Sequence, residues 1–250
     1  MITEYKKYVE FVDYFQVLYE NAPNSLKIII DQCKNIDQSK IWHPEGNVYN
    51  HIKIVTNRLY NYYNDINLTL AGFFHDLGKV KTTFWDSESL TWRSPSHEFE
   101  SVIIIKDYKD WIIKNNGDFE LIKYIVLNHM KIKYLDGMKF PKLIEIIDNV
   151  NIDYVIKFST ADYGGNDIKC MKPLDISEIK NKINNYKILQ KKNEIISSKF
   201  NGKIVMNIRP ELKGKELGQF IKIFKDYYGD EYIIKTDIKI LNQDIKNFNI

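Results

Sequence analysis

The sequence predicts an all-α fold on three observations. Apolar residues recur at three- and four-residue spacing through most of the 250 residues. Residues that start and stop helices fall where those stripes begin and end. A single stretch breaks the period.

Val48, His51, Ile52, Val55 and Leu59 make the first stripe, one face of a helix. Leu70, Phe74 and Leu77 make the second, and Gly78 stands where a helix C-terminus favours left-handed geometry. The break comes next. Thr82-Thr83-Phe84-Trp85 and Leu90-Thr91-Trp92-Arg93 flank Asp86-Ser87-Glu88-Ser89, which reads as a small β-hairpin or an ordered loop. Ser96 is an N-cap candidate for a helix over 97–115, with Glu98 and Glu100 favoured by the dipole of its first turn. Phe119, Ile122, Val126 and His129 form a further stripe, and Ile152, Val155, Ser159 and Asp162 another. A long lysine-rich helix is expected over 175–200. A shorter one is expected over 214–228, with Leu217, Phe220, Ile221 and Phe224 inward. No internal repeat is visible, and Pro173 and Asn201-Gly202 are the candidate boundaries.

Composition excludes several classes. Hydrophobic residues are 44% and charged residues 28%, ordinary for a globular protein. The opening MITEYKKYVE has no apolar core of signal-peptide length. No stretch approaches the roughly 18 apolar residues of a membrane helix. Two cysteines, Cys33 and Cys170, make neither a disulfide framework nor a CxxC, so a reducing cytoplasm is the simplest setting. The net charge of +3 is uneven: residues 169–225 carry 14 Lys/Arg against 5 Asp/Glu. Such a segment can attract a phosphate backbone, or it is simply a solvated lysine face.

The chemistry lies in five histidines, His43, His51, His75, His97 and His129. Taken singly, a histidine on an apolar face is more often a satisfied core residue than a ligand. The set says more. His51 and Asp162 lie on inner faces, and His75-Asp76 closes an apolar helix. A buried carboxylate is costly unless paired or bound to a metal. Helices packed side by side can bring imidazoles and carboxylates onto one ion. Mixed His/Asp ligation suits a divalent Mn, Fe, Co, Ni, Zn or Mg, and the lack of cysteine argues against structural zinc.

His51, His75-Asp76 and Asp162 follow the H…HD…D pattern, and the chain resembles the HD superfamily of metal-dependent phosphohydrolases. It resembles one branch more closely, the HD domain of bacterial tRNA nucleotidyltransferases, the CCA-adding enzymes. Trp42-His43-Pro44-Glu45-Gly46 before His51 is similar to that branch's HPEG…H. Phe74-His75-Asp76-Leu77-Gly78-Lys79 is similar to its HDLGK. Thr82-Thr83, His97-Glu98, Asn128-His129 and Ala161-Asp162 follow in order. Gly202-Lys203, Met206, Gly214 and Gly218 match loosely, with Lys215 where proline is common. The 41 residues before Trp42 are too few for a nucleotidyltransferase head and hold no DxD-type pair, so nucleotide addition is not expected. The motif continues as LGK rather than the ED pair typical of guanosine tetraphosphate hydrolases.

The resemblance implies a helical HD bundle over 42–170, and the pattern of the chain places a helical segment 1–41 before it and a basic helical extension 171–250 after it. It implies that His51, His75, Asp76 and Asp162 hold a divalent ion such as Mn, Ni, Co, Fe or Mg. It implies that His97 and His129 hold a second, with Asp76 shared, or contact phosphate beside a single ion. Lys79 either neutralises a phosphate oxygen or is a lysine placed by the helix dipole. His43 either orients substrate or caps the next helix. Thr83 and Arg93, with Thr82, either contact phosphate or serve the hairpin. Trp85 and Trp92 either stack on a base or pack on each other. The expected substrate is a nucleotide or the end of a tRNA-like RNA, with no membrane partner. The rivals are a non-catalytic RNA-binding module using 169–225, and a soluble (deoxy)nucleotide phosphohydrolase. Oligomeric state is open.

Overall fold

The structure is a computed structural model that describes residues 11–163 and 175–249. It is all-α apart from one hairpin, and divides into two compact units, Met1–Ile176 and Ser177–Ile250. Pro173 and Cys170 lie outside the described residues.

The first unit begins with α1 (Tyr14–Asn21) and α2 (Asn24–Gln32), followed by α3 (Val48–Tyr63) and α4 (Ile66–Phe74). Side chains cap α1, α3 and α4: Asp13 accepts from the Gln16 amide, Asn47 from Asn50, and Asp65 from Asn67 and Leu68. Phe15, Leu18, Leu26 and Ile30 are buried in the same core as Val48, Ile52, Val55 and Leu59. Asn64 closes α3 in the left-handed conformation and Asp65 opens α4, which turns the chain back on itself. The two helices then pack closely at Gly72, where a Cβ would stand 2.8 Å from Leu59 Cδ1 and 3.1 Å from the Thr56 Cα. Cys33 is buried in this core, and burial, then the Asp76 charge, pushes its thiol up to about 12, so it is an inert packing residue.

After α4 come a short α5 (Lys79–Thr82) and the hairpin of β1 (Phe84–Asp86) and β2 (Thr91–Arg93). Trp85 faces Trp92 across the strands with the rings edge-on, 5.4 Å apart, so the tryptophans pack on each other. The expected helix over 97–115 is two, α6 (His97–Asp107) and α7 (Lys109–Lys114), because Tyr108 leaves helical geometry at φ −114°, ψ 20°. Ser96 precedes α6 with φ 56° and makes no side-chain cap, contrary to the expectation.

Gly78 is a second correction. Its backbone is right-handed, φ −62°, ψ −20°. Glycine is required there for space: a Cβ would sit 2.2 Å from the His97 carbonyl oxygen and 2.6 Å from the Ser101 amide nitrogen. The Gly78 amide donates to Ser101 Oγ at 2.8 Å, and that hydroxyl donates to the His75 carbonyl at 2.6 Å. These bonds pin α6 against the turn after α4.

The unit is completed by α8 (Phe119–Asn128), capped by Asp118, then a 3-10 turn Lys131–Gly137, α9 (Phe140–Ile147) and α10 (Ile152–Asp162). Arg58 is fully buried and its Nη1 donates to the Ala161 carbonyl at 2.7 Å, tying α3 to the last turn of α10.

The second unit holds α11 (Ser177–Lys199), α12 (Gly202–Ile208), α13 (Gly214–Lys235) and α14 (Ile238–Asn247). Its own core contains Ile196, Phe200, Val205, Phe220, Phe224, Ile233, Leu241 and Ile245, with Leu217 and Ile221 packed against it. Gly229, at φ 77° and ψ 160°, interrupts α13 where the expected helix ended. Asn201-Gly202 is no boundary: Asn201 caps α12 by accepting from the Ile204 amide inside this unit. No described helix is long and apolar enough to cross a membrane.

Candidate metal centre

Five elements of the first unit deliver one cluster. His51 comes from the inner face of α3, and His75 and Asp76 from the turn after α4. His97 opens α6, His129 follows α8, and Asp162 ends α10. All six side chains are buried.

Each imidazole is held from behind. His75 Nδ1 donates to the Gly72 carbonyl at 2.8 Å, His97 Nδ1 to Ser94 at 2.8 Å, and His129 Nδ1 to Val126 at 2.6 Å. A carbonyl oxygen only accepts, so each Nδ1 carries the hydrogen and each Nε2 is left with a lone pair. His51 uses a carboxylate instead, with Nδ1 donating to Glu45 Oε1 at 2.6 Å. An outer hydrogen bond that fixes tautomer and ring orientation is the usual support of a metal-ligating histidine.

The inner atoms converge, and apart from the His51–Asp162 hydrogen bond they satisfy one another poorly. His75 Nε2 has no hydrogen-bond partner. His97 Nε2 and His129 Nε2 face each other at 3.3 Å, two lone pairs that repel unless a cation or proton lies between them. Asp76 Oδ2 lies 3.2 Å from His75 Nε2 and 3.5 Å from His51 Nε2, while Oδ1 lies 3.1 Å from His97 Nε2. Neither Asp76 oxygen accepts a well-oriented hydrogen bond, although Lys79 Nζ stands 2.7 Å from Oδ2. Asp162 Oδ1 is 2.9 Å from His51 Nε2 and 4.0 Å from His75 Nε2. The donor atoms of His51, His75 and Asp76 lie within 4.8 Å of one another, as do those of Asp76, His97 and His129. This all-nitrogen-and-oxygen set fits a divalent ion of borderline or hard character.

The electrostatics agree. Burial alone would raise Asp76, but the neighbouring His75 and Lys79 more than offset it and hold the carboxyl well below its usual range. Asp162 is likewise held low against its burial by Lys133 and His51. Burial and the nearby His75 and His97 keep His129 neutral. Burial opposes protonation of His51, yet the Asp162 and Glu45 hydrogen bonds raise it to about 9.

A cavity of about 60 Å³ opens on this cluster, lined also by His43, Lys79, Met130 and Lys133. Lys79 is buried, with Nζ donating to Gln38 Oε1 at 2.6 Å. His43 Nδ1 donates to Glu45 Oε1 at 3.0 Å, and burial lowers its pKa to about 4, so it is neutral at pH 7. Thr83 and Arg93 are not among the lining residues. Thr83 Oγ1 bonds Ser94 Oγ at 2.7 Å, and the exposed Arg93 pairs with Asp86 at 2.9 Å in the hairpin.

The sequence reading did not single out Glu45, Gln38, Arg58 or Lys133 as part of this site. Glu45 was visible as the acid between His43 and His51. For Arg58, an arginine one helical face from His51 was the only sign. Gln38 and Lys133 carry no local signal.

No curated protein and no solved structure matches the chain. The family model of the HD domain matches residues 48–151, a span that contains His51, His75, Asp76, His97 and His129 and stops short of Asp162. With the His/Asp cluster those helices build, this match supports membership of the HD superfamily.

Proposed function

We propose that this protein is a metal-dependent phosphohydrolase that cleaves phosphomonoester or cyclic phosphodiester bonds of a nucleotide or an RNA 3′ end. The observation that carries the reading is the convergence of four imidazole Nε2 atoms on two carboxylates, with every Nδ1 already anchored. The order of motifs from HPEG to AD supports the closer relation to the CCA-adding branch, and with it an RNA-end substrate.

His51, His75, Asp76 and Asp162 would hold one divalent ion. His97 and His129 would hold a second, with Asp76 between them, one oxygen toward each set. Such ions supply hydroxide near neutral pH and neutralise phosphoryl charge. The chain's own groups do the rest. Lys79 is held at the cluster by Asp76 and Gln38, positioned to meet a phosphate oxygen. Glu45 orients His51, Arg58 orients the end of α10 that carries Asp162, and neutral His43 presents a polar ring at the cavity.

The pH dependence of metal binding follows from His51. Its pKa near 9 means the metal-free imidazole carries a second proton at neutral pH, which a ligand must release. Apparent affinity should therefore rise about tenfold per pH unit up to about pH 9 and then level off. Competition with a chelator at several pH values checks this, and a flat profile from pH 6 to 8 contradicts it.

The function is tested with 2′,3′-cyclic AMP, a nucleoside monophosphate panel and bis-p-nitrophenyl phosphate, each with Mn, Ni, Co, Fe or Mg. Metal-dependent turnover is expected. No turnover with any metal, while RNA still binds, would replace the enzyme with an RNA-binding module.

A further inference from the structure

The 60 Å³ cavity has room for little more than a phosphoryl group, so the organic part of a phosphoester must lie outside it. A second cleft of about 380 Å³ shares the wall residue Lys133 and is lined by Tyr134, Asp136, Gly137 and Met138. One short element, the 3-10 turn Lys131–Gly137, thus borders both spaces.

The geometry of that turn sorts its side chains. Residues three apart eclipse in a 3-10 helix. Ile132 and Leu135 are the buried pair that anchors the turn in the core. Lys133 and Asp136 share the next row. Lys133 Nζ is 3.4 Å from Asp162 Oδ2 and 5.0 Å from the centre of the Tyr163 ring, so the ammonium is held at the edge of the cluster. Tyr134 and Gly137 share the third row. Tyr134 is 62% exposed, and a Cβ at Gly137 would meet nothing within 4 Å, so space beside the ring is left open. A core-anchored turn that leaves an aromatic ring in solvent beside a cationic site offers a stacking face.

We propose that this turn is the substrate-side wall of the site: Lys133 takes a phosphate oxygen, and the cleft seats a planar heterocycle of the same substrate. The ring stacks on Tyr134, Met138 packs at its edge, and Asp136 accepts from an amino group. This rests on the phosphohydrolase reading and assigns the residues that would hold the base of its substrate.

The test compares adenosine 5′-monophosphate with ribose 5-phosphate, which carries a hydroxyl at the anomeric carbon in place of the base. Calorimetry on the metal-loaded protein and steady-state turnover are measured for wild type, Tyr134→Ala and Lys133→Met. Wild type should prefer the nucleotide in binding. Tyr134→Ala should cut that preference about tenfold. Lys133→Met, kept saturated with metal because Lys133 also neutralises Asp162, should weaken both ligands alike. Equal binding of the two ligands by wild type, or a preference that survives in Tyr134→Ala, overturns the base subsite. Unchanged affinity in Lys133→Met overturns the phosphate contact. Preference with no turnover of either ligand, of 2′,3′-cyclic AMP or of bis-p-nitrophenyl phosphate leaves the subsite standing and removes the hydrolase reading. Turnover without preference does the reverse.

Discussion

An Asp76→Asn protein is expected to purify without bound metal and to lose hydrolysis by about a thousandfold or more, because among the described residues its carboxylate is the one group shared by both histidine sets. The substitution keeps shape and removes charge. It also leaves Lys79 buried beside an amide, with only Gln38 as a good partner. Breaking one side of a buried ion pair typically costs about 3–5 kcal/mol, and the retained Gln38 bond places this case at the low end. Stability and metal binding therefore fall together, and a second variant separates them. Asp76→Asn with Lys79→Met removes both buried charges and should regain most of the stability, but none of the metal. Metal analysis after purification, with urea denaturation alongside, reads both. A single Asp76→Asn protein that keeps full metal content would refute the assignment of Asp76.

The second large effect is at a residue that touches no ligand. Gly78→Ala should lower stability by about 3 kcal/mol or more. The new methyl would lie 2.2 Å from the His97 carbonyl oxygen and 2.6 Å from the Ser101 amide nitrogen, both backbone atoms that cannot rotate aside. To relieve the clash α6 must retreat, and His97 begins α6. The pairing of His97 with His129 and Asp76 then opens, so metal affinity should fall as well. Gly137→Ala is the control in the same unit, since its Cβ would meet nothing within 4 Å. It should shift stability by no more than about 0.5 kcal/mol. Denaturant midpoints that coincide for the two variants would contradict the close packing of α6 on the turn after α4.

The amino-acid sequence by itself determined which residues face inward and which chemistry they carry. Apolar spacing marks the buried side of α3, α8, α10 and α13, because a helix repeats its face every three to four residues regardless of what packs there. The tryptophan hairpin was legible for the same local reason, in alternation around a polar turn. The candidate ligand types were legible because imidazoles and carboxylates on apolar faces need a partner. Only the tertiary structure decided which faces meet. His51 and Asp162 are 111 residues apart and touch at 2.9 Å, and Arg58 reaches Ala161 across 103 residues. No local pattern encodes such a pairing. Lys133 and Gln38 look like ordinary surface residues in the sequence, and packing brought Lys133 to the edge of the cluster and Gln38 to Lys79. Gly78 shows the limit most clearly. A glycine after an apolar stripe is demanded equally by a left-handed helix end and by a backbone pressed against it. The choice between them was made by α6, which begins nineteen residues further along the chain.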